Sequence, residues 1–332
     1  MTVQAAHSPQ AKTEGAVAFC SIATPSHVPQ ALACLHSIRQ YHEDARYFLL
    51  LMNAEGQLLP SLPGTIETLN IEDCIGSAEL TAMRERYSTA ELCFAAKPFL
   101  IAKLLAAGMD QVHYLDGDCM AFSSMTPLTA ELSGADLLLT PHCLTPVPED
   151  GKTPRPLTMI KAGVFNAGYM AVRRTPQGAA FVAWLSAMTL RYAKNAPAEG
   201  MCGDQRWLDL VPVLFPGMAI CRHPGANVAY WNLHERNLVR DSEGVFRVNN
   251  QALIFFHFSG YLASHPALFS RHQNRHALTA GSPLNELVES YRAHWPSNSA
   301  GTSRKQRYLP AILGRLTDLP STIRRNLHEK KK

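Results

Sequence analysis

Val112-His113-Tyr114-Leu115-Asp116-Gly117-Asp118-Cys119-Met120-Ala121-Phe122 is the stretch on which the rest of the chain turns. An apolar run rich in strand formers delivers two carboxylates separated by one glycine, then becomes apolar again. With a turn between them, Asp116 and Asp118 can aim at one hard cation, and Gly117 leaves space for another group to approach. Unpaired carboxylates at a strand end are costly, so the pattern asks for a cationic partner.

Upstream, residues 16–22 (AVAFCSI) read as a buried strand, residues 28–41 as a helix and residues 47–52 as a second strand. Strand–helix–strand at the start points to a doubly wound, mainly parallel sheet, whose ligands sit beyond the strand carboxyl ends. Ser21, Ala23 and Thr24 fall at such an edge, where a nucleotide base fits, though a plain strand-to-helix turn has the same composition. Residues 60–76 carry Pro60, Pro63, Gly64 and Gly76 and read as irregular. Residues 89–107 read as a helix that Pro98 kinks or restarts. Lys97, at that break, can reach a phosphate or one of the aspartates, or stay solvated.

Downstream, residues 136–140 form a strand pattern, and the Pro-rich run 141–156 is long enough to be a functional lid. Asn166-Ala167-Gly168 is a small polar corner entering a strand, where a ligand can approach backbone. Residues 176–195 read as an amphipathic helix. Asp204 stands at an N-cap position with Gln205 in the first helical turn. Residues 227–236 (NVAYWNLHER) form a polar and aromatic patch, and residues 241–244 a hairpin turn. Residues 253–258 (LIFFHF) form a buried strand carrying His257, followed by Ser259 and Gly260. By itself a histidine on an apolar strand is more often a satisfied core residue than a ligand.

The 332 residues suffice for one large α/β domain or two small ones. Apolar content of 46% is ordinary and 17% charged is low. No apolar run approaches the ~20 residues of a membrane span, and residues 1–15 lack the pattern of a secretory signal. Eight scattered cysteines without a CxxC pair fit a reduced, cytoplasmic compartment and argue against zinc. The net charge of +4 is uneven: residues 304–332 hold nine Lys/Arg against two acids, a balance of +7 that leaves −3 on the body. A nucleic-acid-binding body is therefore not indicated, whereas the basic, leucine-bearing tail suits peripheral contact with an anionic membrane or docking of its leucines on the body. The expected organisation is a flexible N-terminus (1–15), one catalytic domain (16–296) and the basic amphipathic tail (297–332).

Taken in order, Asp116-Gly117-Asp118, Asn166-Ala167-Gly168, Asp204-Gln205 and His257-Phe258-Ser259-Gly260 resemble the GT-A glycosyltransferases, most closely the retaining enzymes of glycosyltransferase family 8. The resemblance implies a Rossmann-like α/β domain using a nucleotide-sugar donor, here a UDP-sugar. The acceptor would be a glycan, a lipid-linked glycan or a protein. It implies Mn²⁺ (or Mg²⁺) on Asp118 and His257, with Asp116 on the metal or the ribose. Ala23 and Thr24 would line the uracil pocket, Asn166, Ala167, Gly168 and Asp204 the donor sugar, Gln205 the sugar's β face and Gly260 the diphosphate. The family's Lys-Pro-Trp motif after this glycine is missing, so His265, Lys97 or Arg271 would supply its positive charge. Two alternatives differ in class: a haloacid-dehalogenase-type phosphatase with Asp116 as nucleophile and Asp118 as acid/base, and a non-catalytic sugar-nucleotide-binding module.

Overall fold

The computed structural model describes residues 15–53 and 64–294. Residues 1–14 and 295–332, which hold the expected N-terminal segment and basic tail, lie outside the described residues.

In chain order the elements are β1 (Val17–Ala23), α1 (Val28–Arg39), β2 (Arg46–Leu51), β3 (Glu67–Asn70), α2 (Ser77–Arg86), α3 (Thr89–Ala106), β4 (Gln111–Leu115), β5 (Cys119–Ala121) and α4 (Thr126–Ser133). Then come β6 (Leu137–Pro141), α5 (Pro156–Ala162), β7 (Phe165–Arg173), α6 (Pro176–Thr189), β8 (Asn195–Ala196) and β9 (Met201–Cys202). The last are α7 (Val211–Leu214), β10 (Met218–Ile220), β11 (Leu238–Arg240), β12 (Phe246–Val248), β13 (Gln251–Ala252), β14 (Phe255–His257) and α8 (Pro283–Arg292).

Seven strands form the central sheet in the order β10-β6-β7-β4-β1-β2-β3. Only β7 runs against the others, pairing antiparallel with both β4 and β6. The expected mixed, mainly parallel sheet flanked by helices is therefore present. Its inner strands are nearly continuous apolar runs because both faces are covered. Ala18, Cys20 and Leu50 join α3 and α6 on one face, while Phe19, Leu49 and Leu51 join α1 and α4 on the other. A third apolar cluster, with Phe258 stacked on Tyr291 of α8, seals the sheet's far end.

Three expectations need correction. The irregular segment 60–76 contains β3, an edge strand whose polar sequence ETLN has no apolar alternation to betray it. The helix expected to break at Pro98 runs unbroken from Thr89 to Ala106. Burial of Leu92, Leu100, Ile101 and Leu104 outweighs the ~3 kcal/mol cost of an internal proline. The strand expected at 253–258 is shorter: only Phe255–His257 (β14) pairs, and β13 ends before that stretch begins.

Candidate active site

Parallel pairing of β1 with β4 brings the end of β1, Ala23 and Thr24, to the same sheet edge as Asp116. Beyond β4 the chain turns through Asp116-Gly117-Asp118 into β5. There β14 pairs antiparallel with β5, setting His257 opposite Cys119. Strand pairing thus delivers His257 to the aspartates from the far half of the chain. Its Nε2 lies 3.0 Å from Asp118 Oδ1 and 4.0 Å from Asp116 Oδ2.

The glycines serve this arrangement more directly than their composition implied. A Cβ on Gly168 would stand 2.3 Å from His257 Cε1, so the Asn-Ala-Gly corner makes room for the imidazole. A Cβ on Gly117 would press on Ala31 at 3.2 Å, so this glycine lets the turn pack on α1. Gly260 has φ of +75° and lies against His272.

Asp116 and Asp118 sit in different surroundings. Asp116 Oδ1 accepts from Tyr114 Oη at 2.7 Å and lies 3.1 Å from Lys97 Nζ. Lys97 is buried, its side chain 3% exposed, and is not the solvated residue that its type favours. Its Nζ donates to Ala167 O at 3.0 Å and lies 3.4 Å from Asp204 Oδ2. Burial alone would lower the Lys97 pKa, but the two carboxylates outweigh it and the ammonium is held charged. Asp204 makes no capping hydrogen bond, contrary to the N-cap reading. Burial, opposed by Lys97 and aided by Asp116, pushes its carboxyl up to about 6. Lys97, Asp116, Gly168, Asp204 and Gln205 line a cavity of about 130 Å³.

On the other side of Gly117, the Asp118 side chain is 39% exposed. Burial pulls the His257 pKa down, but Asp118 and then Asp116 outweigh it and the net shift is upward. A hydrogen-bonded run of carboxamides backs this pair. Gln205 Oε1 accepts from Ala167 N and Asn166 Nδ2, both at 3.1 Å, while its Nε2 donates to Ala162 O at 2.9 Å. Asn166 Oδ1 accepts from Gly168 N at 3.1 Å and from Asn227 Nδ2 at 3.0 Å. Asn227 Oδ1, 3.3 Å from His257 Nδ1, then fixes that nitrogen as the imidazole's N–H donor. The Trp231 ring stands edge-on to His257 at 5.2 Å. Asn227 and Trp231 belong to the 227–236 patch, which the sequence singled out without a role. Nothing in the sequence pairs them with His257.

Three other candidates lie apart from this cluster. Thr24 Oγ1 is engaged with His27 Nδ1 at 2.9 Å. His265 is exposed, and its Nδ1 is 2.9 Å from Ser264 Oγ. Arg271 is exposed beside His272, a ring that feels the charge of Asp118.

The donor set suits a hard divalent cation. Asp118 and His257 converge, Asp116 Oδ2 stands 4.0 Å from the imidazole, and Lys97 lies behind Asp116. Cys119 Sγ is also within ligand range of Asp118 and His257. Burial pushes its thiol pKa well up, and the side chain packs into the apolar cluster under α1, so it stays a neutral thiol.

No protein-family model matches the chain. By sequence it is similar to the uncharacterized protein YfnF of Bacillus subtilis (strain 168), 26% identical over 249 residues, which span 74% of this chain and 81% of that protein. It is also similar to the uncharacterized protein YfnD of the same strain, 25% identical over 249 residues, 73% of this chain and 77% of that protein. Among solved structures it is similar to the galactosyltransferase LgtC in complex with donor and acceptor sugar analogues, at 16% identity and a TM-score of 0.45, covering 84% of this chain and 100% of that one. It is similar to mouse xyloside xylosyltransferase 1 at 14% identity and a TM-score of 0.41, covering 73% of this chain and 97% of that one. Similarities this distant fix no family, so the chemistry has to be read from the side chains of this chain.

Proposed function

We propose that the protein is a metal-dependent glycosyltransferase of the GT-A type, resembling family 8. It would move a hexosyl unit from a UDP-sugar to a glycan, lipid-linked or protein acceptor with retention of configuration. The observation that carries this reading is the convergence of Asp118 and His257, with Asp116 close by, beside a small cavity. Asp118 and His257, with Asp116, would hold Mn²⁺ or Mg²⁺, which supplies Lewis-acid stabilisation of the departing diphosphate.

The other groups have roles that follow from their positions. Asp204, in the cavity wall, would hold a hydroxyl of the donor sugar, and Asn166 would join it at the adjoining Asn-Ala-Gly corner. Ala23 and Thr24 line the sheet edge that suits the uracil base. Gly260 brings backbone close enough for the diphosphate. Lys97 is sequestered between carboxylates and His265 is turned to Ser264, so of the three candidate cations Arg271 best suits the phosphates. Gln205 spends its carbonyl oxygen on Ala167 and Asn166, which makes it a poor nucleophile. Retention then follows from front-face attack. The sugar C1–O bond breaks with its electron pair leaving on phosphate, and the acceptor hydroxyl forms the new C1–O bond from the same side. Its proton passes to the leaving phosphate oxygen. The phosphatase alternative needs Asp116 free to attack, yet its Oδ1 is held by Tyr114 and Lys97.

Thermal shift with a panel of UDP-sugars, with and without Mn²⁺, tests the reading. One UDP-sugar should stabilise the protein only when metal is present, and Asp118→Ala and His257→Ala should each abolish the effect. Unchanged stabilisation in both variants refutes the metal site. Stabilisation without turnover across an acceptor library would favour the non-catalytic binding module. Peripheral membrane contact through residues 304–332 and a cytoplasmic location belong to the same proposal, though the tail lies outside the described residues.

A further inference from the structure

Eight large apolar side chains stand exposed among the described residues, and six of them are gathered in two short segments. Leu157, Ile160 and Val164 belong to α5 and the residues that follow it, and Leu210, Val213 and Leu214 to α7 and the turn before it. Their exposure reaches 85% at Val213, 71% at Leu157 and 70% at Ile160. Single exposed aliphatics are ordinary, but six on adjoining segments are not.

The two segments are fastened side by side. Arg206 Nη1 donates to Ile160 O at 2.9 Å, Val164 N donates to Asp209 Oδ1 at 2.7 Å, and Arg206 pairs with Asp209 at 2.6 Å. The aliphatic side chains are thus held on a rigid platform. Leu157 and Ile160 are three residues apart and share one helical face. Around them Lys152, Arg155 and Lys161 are all exposed. Of the nearby acids, Asp150 is paired with Arg275 and Asp209 with Arg206, which leaves Glu149 opposing three exposed cations.

The geometry points to a surface that seats on an anionic lipid bilayer, with α5 and α7 entering the headgroup layer. Exposed aliphatics framed by lysine and arginine match the apolar and anionic layers of such an interface. Charge also selects against the protein's own tail as the occupant. Residues 304–332 carry +7, which the cationic rim repels. A second copy of the chain would bring the same cations against themselves. The surface adjoins the cavity, since Gln205 starts the turn that leads into α7 and donates to Ala162 O at the end of α5. This inference stands apart from the identity of the reaction and needs no bound metal.

Co-sedimentation of the full-length chain with vesicles tests it, comparing phosphatidylcholine containing phosphatidylglycerol with phosphatidylcholine alone. Binding is expected on the anionic vesicles. Leu157→Ser/Ile160→Ser and Val213→Ser/Leu214→Ser should each weaken it roughly tenfold or more, because two fewer aliphatic side chains enter the bilayer. Lys152→Glu/Arg155→Glu/Lys161→Glu should weaken it on the anionic vesicles alone, by a similar factor. Because these side chains are exposed, thermal unfolding of the free proteins should be unchanged. Wild-type binding in all three variants overturns the inference. Tighter binding in the serine variants overturns it too, as the result expected if the patch normally sequesters the basic tail. Self-association in sedimentation equilibrium that the serine variants abolish, with vesicle binding unaltered, overturns it in favour of a second copy.

Discussion

The two aspartates beside Gly117 are chemically identical, two positions apart and both partly exposed, 28% for Asp116 and 39% for Asp118, yet the fold gives them different partners. Asp116 is closed in: Tyr114 donates to it, Lys97 lies against it, and Lys97 is shared with buried Asp204. Asp118 is open, with His257 as its near partner and more than a third of its side chain exposed. On the Asp116 side one buried ammonium is shared by two carboxylates, which holds the cavity's shape. The open side keeps lone pairs available. A site that must both persist and bind a cation needs this division, because removing one member of a buried ion group leaves the others uncompensated.

The largest test of the comparison is Lys97→Met. Loss of the ammonium leaves buried Asp204, and Asp116 beside it, without their shared cation and should cost about 3–5 kcal/mol of stability in denaturant unfolding. Asp118→Asn, on the open side, should cost no more than ~1 kcal/mol. Equal losses in the two variants would erase the distinction. The contrast sharpens at Asn227. Asn227→Ala removes the acceptor that orients His257 and should weaken Mn²⁺ binding about 10–100-fold by calorimetry. Asn227→Asp, which keeps an oxygen at that point but breaks the link to Asn166, should retain most of the affinity. If both lose it alike, Asn227 is only a packing residue. A last contrast, negligible near neutral pH, concerns imidazoles without a carboxylate. His257 is raised by its carboxylates, whereas burial followed by the His42 charge drives His113 down to about 3. Below the ordinary pKa of 6.5 the unfolded chain takes up a proton that folded His113 refuses. Stability should therefore fall as pH drops from about 6.5 towards 3, by up to ~1.4 kcal/mol per pH unit from this group, and be flat in this term above 6.5. Melting temperatures of wild type and His113→Gln across that range would show a shallower slope in the variant. Parallel slopes would remove His113 from the account.

Much of this was legible in the chain itself. Apolar runs such as Phe48-Leu49-Leu50 announce strands covered on both faces, and the Asp-Gly-Asp turn announces a cation. β3 escaped notice because an edge strand needs no apolar alternation, and the continuity of α3 because burial along its length overrides a local proline preference. Glycine has one sequence appearance and several uses, so Gly168 as the space for His257, and Gly117 as a contact with α1, could not be separated from a ligand approach.

The succession of the main strands and helices, and the residue types able to bind a divalent cation, were set by the sequence alone, because periodicity and side-chain chemistry are local properties. Which aspartate lies against buried Lys97, which faces His257, and why Asn227 and Trp231 face His257 were decided only by tertiary structure. The Lys97 contact depends on α3 packing beside β4 and the His257 contacts on β14 pairing with β5, arrangements whose energetics no local pattern encodes.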